Sequence, residues 1–118
     1  MNPNQSPAVQ TSVQTTQGTA YAAATDSALA AEYSALENPL VLAARAFECQ
    51  GTLVLAVLTE PIFLSSERAE LKNLLESAAV ASTGKNVVVS FDLEIYRRIS
   101  RDMPDELKSL LLRKATKN

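Results

Sequence analysis

The stretch TLVLAVL (Thr52–Leu58) limits the possible folds of this chain more than any other segment. Successive side chains of a strand point to opposite faces, and here both alternating sets of positions are aliphatic. A strand that is apolar on both faces is normally central in a sheet or covered on both sides. The segment therefore predicts an interior strand.

Two further runs supply its predicted neighbours. LVLAARAFE (Leu40–Glu48) precedes it across Gln50-Gly51, a spacing that predicts a tight antiparallel hairpin in which Gly51 takes a positive φ. NVVVSF (Asn86–Phe91) is short and β-branched, which indicates a third strand. A helix between the second and third strands would complete a β-α-β crossover. Together the runs predict a three-stranded mixed sheet.

Two helices are predicted before the third strand. The first is DSALAAEYSALE, capped by Asp26 and ended by Asn38-Pro39, with Leu29, Tyr33 and Leu36 as its core-facing stripe. The second begins at Ser65 or Ser66 and stops at Gly84. Its predicted apolar stripe consists of Leu71, Leu74, Leu75 and Ala78.

The C-terminal segment is predicted to be helical in two parts. Residues 93–102 carry the spacing Ile95, Ile99 and Met103, and Pro104 suits the first turn of a last helix, PDELKSLLLRK. The predicted fold is thus a small α+β domain of order α-β-β-α-β-α over residues 26–118, with a three-stranded mixed sheet packed on helices. Residues 1–25 carry no charged side chain, and this composition predicts a disordered tail.

The charge of the chain is divided unevenly. Residues 1–92 hold 4 Lys/Arg and 9 Asp/Glu, a balance of −5, whereas residues 93–118 hold 7 and 4, a balance of +3. A basic segment on an acidic body can dock on its own domain, form a solvated helix face or grip an acidic partner. The candidate partner-binding residues are Arg97, Arg98, Arg101, Lys108, Arg113 and Lys114. Tyr96 is the one aromatic residue among them, which argues against specific nucleic-acid binding.

The composition excludes most familiar enzyme chemistries. The chain has no histidine, so Ser-His-Asp and Cys-His triads and histidine-bearing zinc sites are impossible. Its three glycines are too scattered for a phosphate-binding loop. The only cysteine, Cys49, lies beside Glu48, whose negative charge does not favour a reactive thiolate, so a structural role is predicted. We predict no catalytic, cofactor-binding or metal-binding residues and no small-molecule ligand.

One pair of carboxylates is a candidate for acid–base chemistry. Glu60 follows the second strand and Asp92 follows the third. If those strands are parallel neighbours, both side chains lie near one edge of the sheet, where sites of α/β proteins often form. Asp92 also stands directly before a helical segment, so capping the helix is the favoured interpretation.

The location of the protein is predicted from what its N-terminal residues lack. MNPNQSPAVQTSVQTTQG has no basic residue and no sustained apolar run, so it does not resemble a signal peptide. The run Leu53–Leu58 is far shorter than the ~20 residues of a membrane helix. These features predict a cytoplasmic protein without a membrane span.

Two segments resemble the YhcN/YlaJ-type domain of sporulation lipoproteins from spore-forming bacteria. CQGTLVLAVLTE (Cys49–Glu60) is similar to the hairpin turn and second strand of that family, and NVVVSFDLEIYRRI (Asn86–Ile99) is similar to its closing V-x-V-S-x-D…R-I segment. The chain departs from the family because it has no lipoprotein signal and its cysteine lies inside the domain. The resemblance implies a non-enzymatic, sporulation-linked role without a lipid anchor, in the sporulating cell or the spore.

These observations predict a non-catalytic structural or assembly protein that forms a homo-oligomer or binds a protein partner. A doubly apolar strand in a sheet of only three strands leaves edges and a thinly covered face that self-association commonly satisfies. The alternative is a cytoplasmic adaptor whose basic C-terminal helices bind an acidic protein.

Overall fold

The fold was examined in a computed structural model, which describes the backbone of residues 19–117 and the side chains of residues 27–117. Its elements are α1 (Thr19–Leu36), β1 (Val41–Cys49), β2 (Thr52–Thr59), α2 (Ser65–Thr83), β3 (Asn86–Ser90), α3 (Leu93–Arg98) and α4 (Asp105–Thr116). The predicted α+β class and mixed three-stranded sheet are confirmed. Residues 1–18 of the predicted tail lie outside the described residues, and the backbone of residues 19–25 belongs to α1.

The strands lie in the order β1-β2-β3, with β2 in the centre. β2 is antiparallel to β1 and parallel to β3. The predicted hairpin turn is confirmed: Gln50 and Gly51 have φ values of 53° and 79°. Two successive positive φ angles give a two-residue turn whose twist matches that of the strands it joins.

Helices cover both faces of β2, as the doubly apolar segment predicts. Leu53, Leu55 and Val57 pack in one cluster with α1 and α2. Val54 and Ala56 pack in a second cluster with α3 and α4. The sheet is therefore the middle of three layers, and the thinly covered face expected from the sequence is absent among the described residues.

The predicted start and core face of the first helix are both wrong. α1 begins at Thr19, so Asp26 lies inside the helix. Its buried side chains are Ala28, Ala31 and Ala35, whereas the large apolar residues point outward: Leu29 is 40% exposed, Tyr33 65% and Leu36 45%. The small alanine side chains allow α1 to approach β1 and α2 closely. The spacing of apolar residues along a helix does not show which of two apolar faces is buried.

The predicted core face of α2 is partly wrong. Leu71 and Leu75 are buried, but the stripe continues to Ala79, and Leu74 and Ala78 are exposed. The predicted end of the helix is confirmed, because Gly84 has a φ of 71° and its N–H donates to the Val80 carbonyl at 2.8 Å.

The C-terminal helices dock on the domain. Ile95 of α3 and Leu111 and Ala115 of α4 are buried against the sheet. Ile99 and Met103 are also buried, but in the connection between the two helices rather than along one helix. The sequence left open whether this segment docks on its own domain, is a solvated helix face or grips an acidic partner. Its apolar side packs against the chain's own domain.

A glutamate from α1 and a glutamate from α2 each bond to a backbone N–H of an outer strand. Glu32 of α1 accepts a hydrogen bond from the Ala46 N–H of β1 at 2.8 Å. Glu76 of α2 accepts one from the Val89 N–H of β3 at 3.0 Å. Unpaired N–H groups at a sheet edge are the usual template for strand addition. These two bonds therefore oppose the edge-to-edge association that the sequence suggested.

Replacing Glu76 with alanine is expected to lower the free energy of unfolding by about 1 kcal/mol, the net value of one hydrogen bond, and to increase aggregation. Glu76→Gln retains an acceptor oxygen and is expected to lose less. Urea denaturation followed by circular dichroism measures both changes. The control is Glu70→Ala, which removes an exposed glutamate of the same helix; an equal loss in this control would contradict the capping role.

Candidate interaction surface

The parallel strands β2 and β3 end at the same edge of the sheet, where a surface cavity of about 830 Å³ opens. We call this cavity the groove. Its lining residues come from the end of β2, the loop after it, the N-terminal half of α2, the end of β3 and α4: Thr59, Glu60, Pro61, Ile62, Phe63, Ser65, Arg68, Ala69, Lys72, Val89, Ser90, Phe91, Asp92 and Ala115. Glu60 and Asp92 thus lie at one edge, as expected for carboxylates that follow parallel strands.

The carboxylate of Asp92 caps a helix. Its Oδ1 accepts the Glu94 N–H at 2.8 Å, which confirms the predicted role at the start of α3. The Asp92 N–H in turn donates to the buried Ser90 Oγ at 3.2 Å. Both bonds hold Asp92 in a defined position at the rim of the groove.

Glu60 is exposed and is anchored through its backbone. Its N–H donates to the Leu40 carbonyl at 2.9 Å, which joins the loop after β2 to the loop before β1. The side chain itself takes part in no hydrogen bond or ion pair with the described residues. Glu60 can therefore reach a ligand without breaking an internal contact.

The wall of α2 that faces the groove is basic. Ser65, Arg68 and Lys72 follow one another at i, i+3 and i+7, so they share a helix face. Arg68 Nη2 donates to the Ile62 carbonyl at 2.9 Å and holds the loop. Lys72 is half-buried and has no hydrogen-bond or ion-pair partner in the described part of the chain.

Exposed apolar residues surround this end of the sheet. Phe63 is 90% exposed, and Leu64 and Leu93 are also exposed. Leu40 and Leu42 belong to the same end, because β1 begins where β2 finishes, with Val41 paired to Thr59. Such clusters are more common at binding surfaces than on inert ones.

A separate apolar surface lies on α1. Leu29, Tyr33 and Leu36 occur at i, i+4 and i+7, so they form one stripe. We call it the outer face of α1. It is opposite the alanine face that contacts the sheet, and α1 is consequently apolar on two sides.

The predicted basic residues are distributed over α3, α4 and their connection. Arg98 Nε pairs with Glu94 Oε2 at 3.0 Å, an exposed i,i+4 pair of small energetic value. Lys108 is half-buried beside a second cavity of about 330 Å³ that Glu48 and Asp105 also line. The other four, Arg97, Arg101, Arg113 and Lys114, are exposed.

Three basic residues of interest were missed by sequence reasoning. Arg45 of β1 donates from Nη1 to the Tyr96 carbonyl at 3.2 Å, and its guanidinium carbon lies 4.4 Å from the centroid of the Tyr96 ring. No local pattern marks a contact between residues so distant in the chain. Arg68 and Lys72 could have been found, because with Ser65 they occupy one helix face at the start of α2.

Cys49 is buried, and its Sγ lies 4.0 Å from Ser109 Oγ. Within the described ranges, no three His, Cys, Asp or Glu side chains are grouped so that they could hold a metal ion.

None of the helices described is both long and apolar enough to cross a membrane. Neither a family model, nor a curated protein, nor a solved structure matches this chain.

Proposed function

We propose that this protein is a non-catalytic assembly module that associates with a second copy of itself through the outer face of α1. The observation that carries this proposal is that α1 presents large apolar side chains to solvent while small ones pack inside. Each outer strand has one N–H already bonded to a glutamate, which makes strand pairing a less accessible route to self-association than a helix face.

The geometry suits a two-fold pairing of helices. If two copies of α1 lie antiparallel, Leu29 of each copy faces Leu36 of the other, and the two Tyr33 rings lie near the axis. A two-fold interface uses the same surface of both subunits, so one stripe is sufficient.

The expected association is weak. Each partly exposed Leu or Tyr would gain about 1 kcal/mol on burial, and a dimer buries six such side chains. This gain is of the same order as the ~4–15 kcal/mol that association costs in lost freedom of motion. Other contacts along the paired helices must therefore add to the stripe, and we expect a dimer that forms at high micromolar rather than nanomolar concentration.

Sedimentation velocity over a concentration series tests the proposal. The natural chain is expected to show a mass above that of the monomer at high micromolar concentration, and Tyr33→Lys is expected to return it to the monomer. Leu74→Lys places the same charge on a leucine of α2 that is 58% exposed, and should leave association unchanged. A strict monomer, or an equal effect of both substitutions, would contradict the proposal.

The alternative function is an adaptor that binds an acidic protein through its C-terminal helices. It is favoured by the exposed cations Arg97, Arg113 and Lys114, which have no carboxylate within 4.0 Å among the described residues. Exposed charge contacts weaken in salt, so this binding would be salt-sensitive.

Charge substitutions on the surface test the adaptor function. Arg113→Gln/Lys114→Gln is expected to remove acidic partners from a pull-down performed at low salt. Asn73→Glu/Ser77→Glu on the exposed side of α2 lowers the net charge by the same amount and serves as the control. An unchanged partner list in the first variant would reject the adaptor function.

A role in sporulation, inside the sporulating cell or the spore, is proposed from the sequence resemblance of Cys49–Glu60 and Asn86–Ile99. It predicts that the gene is transcribed during sporulation and silent in growing cells. Transcript measurements through a sporulation time course test it, and constant transcription in growing cells would reject it.

A further inference from the structure

The groove holds four charged side chains that do not neutralise one another. Glu60 and Asp92 lie at the strand ends, and Arg68 and Lys72 lie on α2. No carboxylate oxygen of the first pair is within 4.0 Å of a nitrogen of the second. The four groups come from three separate elements, and the bonds of Asp92 to Glu94 and of Arg68 to Ile62 help to keep them apart.

The apolar lining of the groove is partly exposed to solvent. Phe63 is 90% exposed at its mouth, while Ile62 and Phe91 are partly buried against the core beneath. An exposed aromatic ring beside a cavity can cover an apolar side chain of a ligand at little conformational cost, because it has only two side-chain torsions.

The exposed apolar residues that border the groove favour a peptide over a free metabolite as its ligand. A volume of about 830 Å³ lies within the ~300–1,000 Å³ typical of ligand sites, so the choice of ligand depends on what borders the cavity. Leu64 and Leu93 are exposed and follow directly in the chain on the lining residues Phe63 and Asp92, so they lie at the rim of the groove. A small molecule confined to the cavity would leave both leucines in water. An extended chain could occupy the cavity and contact this rim.

We propose that the groove binds a short peptide segment of a partner protein. An acidic side chain of the peptide pairs with Lys72, a basic one pairs with Glu60, and an aliphatic or aromatic one packs on Phe63. Recognition proceeds through side chains in the groove rather than by strand addition, because Glu76 already occupies the Val89 N–H at the edge of β3.

A peptide selection tests this inference. The full chain is immobilised and exposed to a phage-displayed library of random dodecapeptides, and enriched peptides are synthesised and titrated by fluorescence anisotropy. We expect enriched sequences to combine an apolar residue with an acidic and a basic one. Phe63→Ser and Lys72→Gln should each weaken binding about tenfold or more, a loss that corresponds to ~1.4 kcal/mol.

The controls separate this site from the other surfaces. Arg97→Gln removes an exposed cation outside the groove, and Tyr33→Lys alters the outer face of α1; both should bind the selected peptides as the natural chain does. The variants at Phe63 and Lys72 should keep their fold, because neither side chain holds an internal bond. Absence of enrichment over the bare support, or binding that survives Phe63→Ser and Lys72→Gln, would overturn the inference.

Discussion

A chain that ends at Ser100 is expected to remain unfolded in water at 25 °C. It lacks three buried apolar side chains, Met103, Leu111 and Ala115, and uncovers the face of the sheet that contains Val54 and Ala56. Loss of a buried Leu or Met side chain typically costs ~2–5 kcal/mol. Two such losses are comparable to the whole stability of a small domain, about 5–15 kcal/mol.

Circular dichroism and urea denaturation measure this effect. The truncated chain should show no cooperative transition, whereas a chain that ends at Thr116 should unfold like the natural protein. A cooperative transition with an unchanged dependence on urea in the chain ending at Ser100 would show that α4 is not part of the folded core. Deleting the basic segment would therefore unfold the domain, so a loss of binding in the truncated chain would say nothing about its surface charges.

Replacing Leu75 with alanine is expected to lower the free energy of unfolding by about 3 kcal/mol, within the range measured for buried leucines. Leu75 is 2% exposed and packs between α2 and the sheet. A loss of this size would lower the melting temperature of a domain of about a hundred residues by roughly 10–20 °C.

The neighbouring leucine is a matched control, since it has the same side chain in the same helix. Leu74 is 58% exposed, and alanine is the better helix former, so Leu74→Ala should change the free energy of unfolding by less than about 0.5 kcal/mol. Thermal and urea denaturation of the two variants give the comparison. Equal losses would support the stripe predicted from the sequence, in which both leucines face the core.

Local features of the fold could be predicted because they depend on neighbours in the chain. Gly51 takes the positive φ that its turn requires, Gly84 ends α2, and Asp92 accepts a hydrogen bond from a residue two positions on. The doubly apolar Thr52–Leu58 also identified the central strand, since a strand of this composition needs cover on both faces.

The faces of the helices could not be predicted as reliably. In α1 the alanines pack inside and the larger residues lie outside, because the space between α1, β1 and α2 admits only small side chains. In α2 the helix is rotated so that Ala79 replaces Ala78 in the core. Which face of a helix is buried depends on how closely the elements approach one another. Helical periodicity carries no information about that distance.

The residues of the candidate sites were likewise predicted only in part from the sequence. Glu60 and Asp92 could be expected at one edge once β2 and β3 were taken as parallel, but the opposing Arg68 and Lys72 were overlooked. The edge caps from Glu32 and Glu76 were equally unforeseen, because each joins residues 13 or 14 positions apart across two elements.

The sequence by itself determined the α+β class, the hairpin, the central strand and the helix boundaries at Asp92 and Gly84. These features depend on residues that are close together in the chain, namely the apolar residues of one strand and the residues that form a turn or a helix cap. Only the tertiary structure decided that the outer face of α1 is exposed, that the basic helices complete the core, and that four charged side chains, none with an ion-pair partner among the described residues, line one groove. Those features arise from distances between elements, which the packing of the whole domain sets.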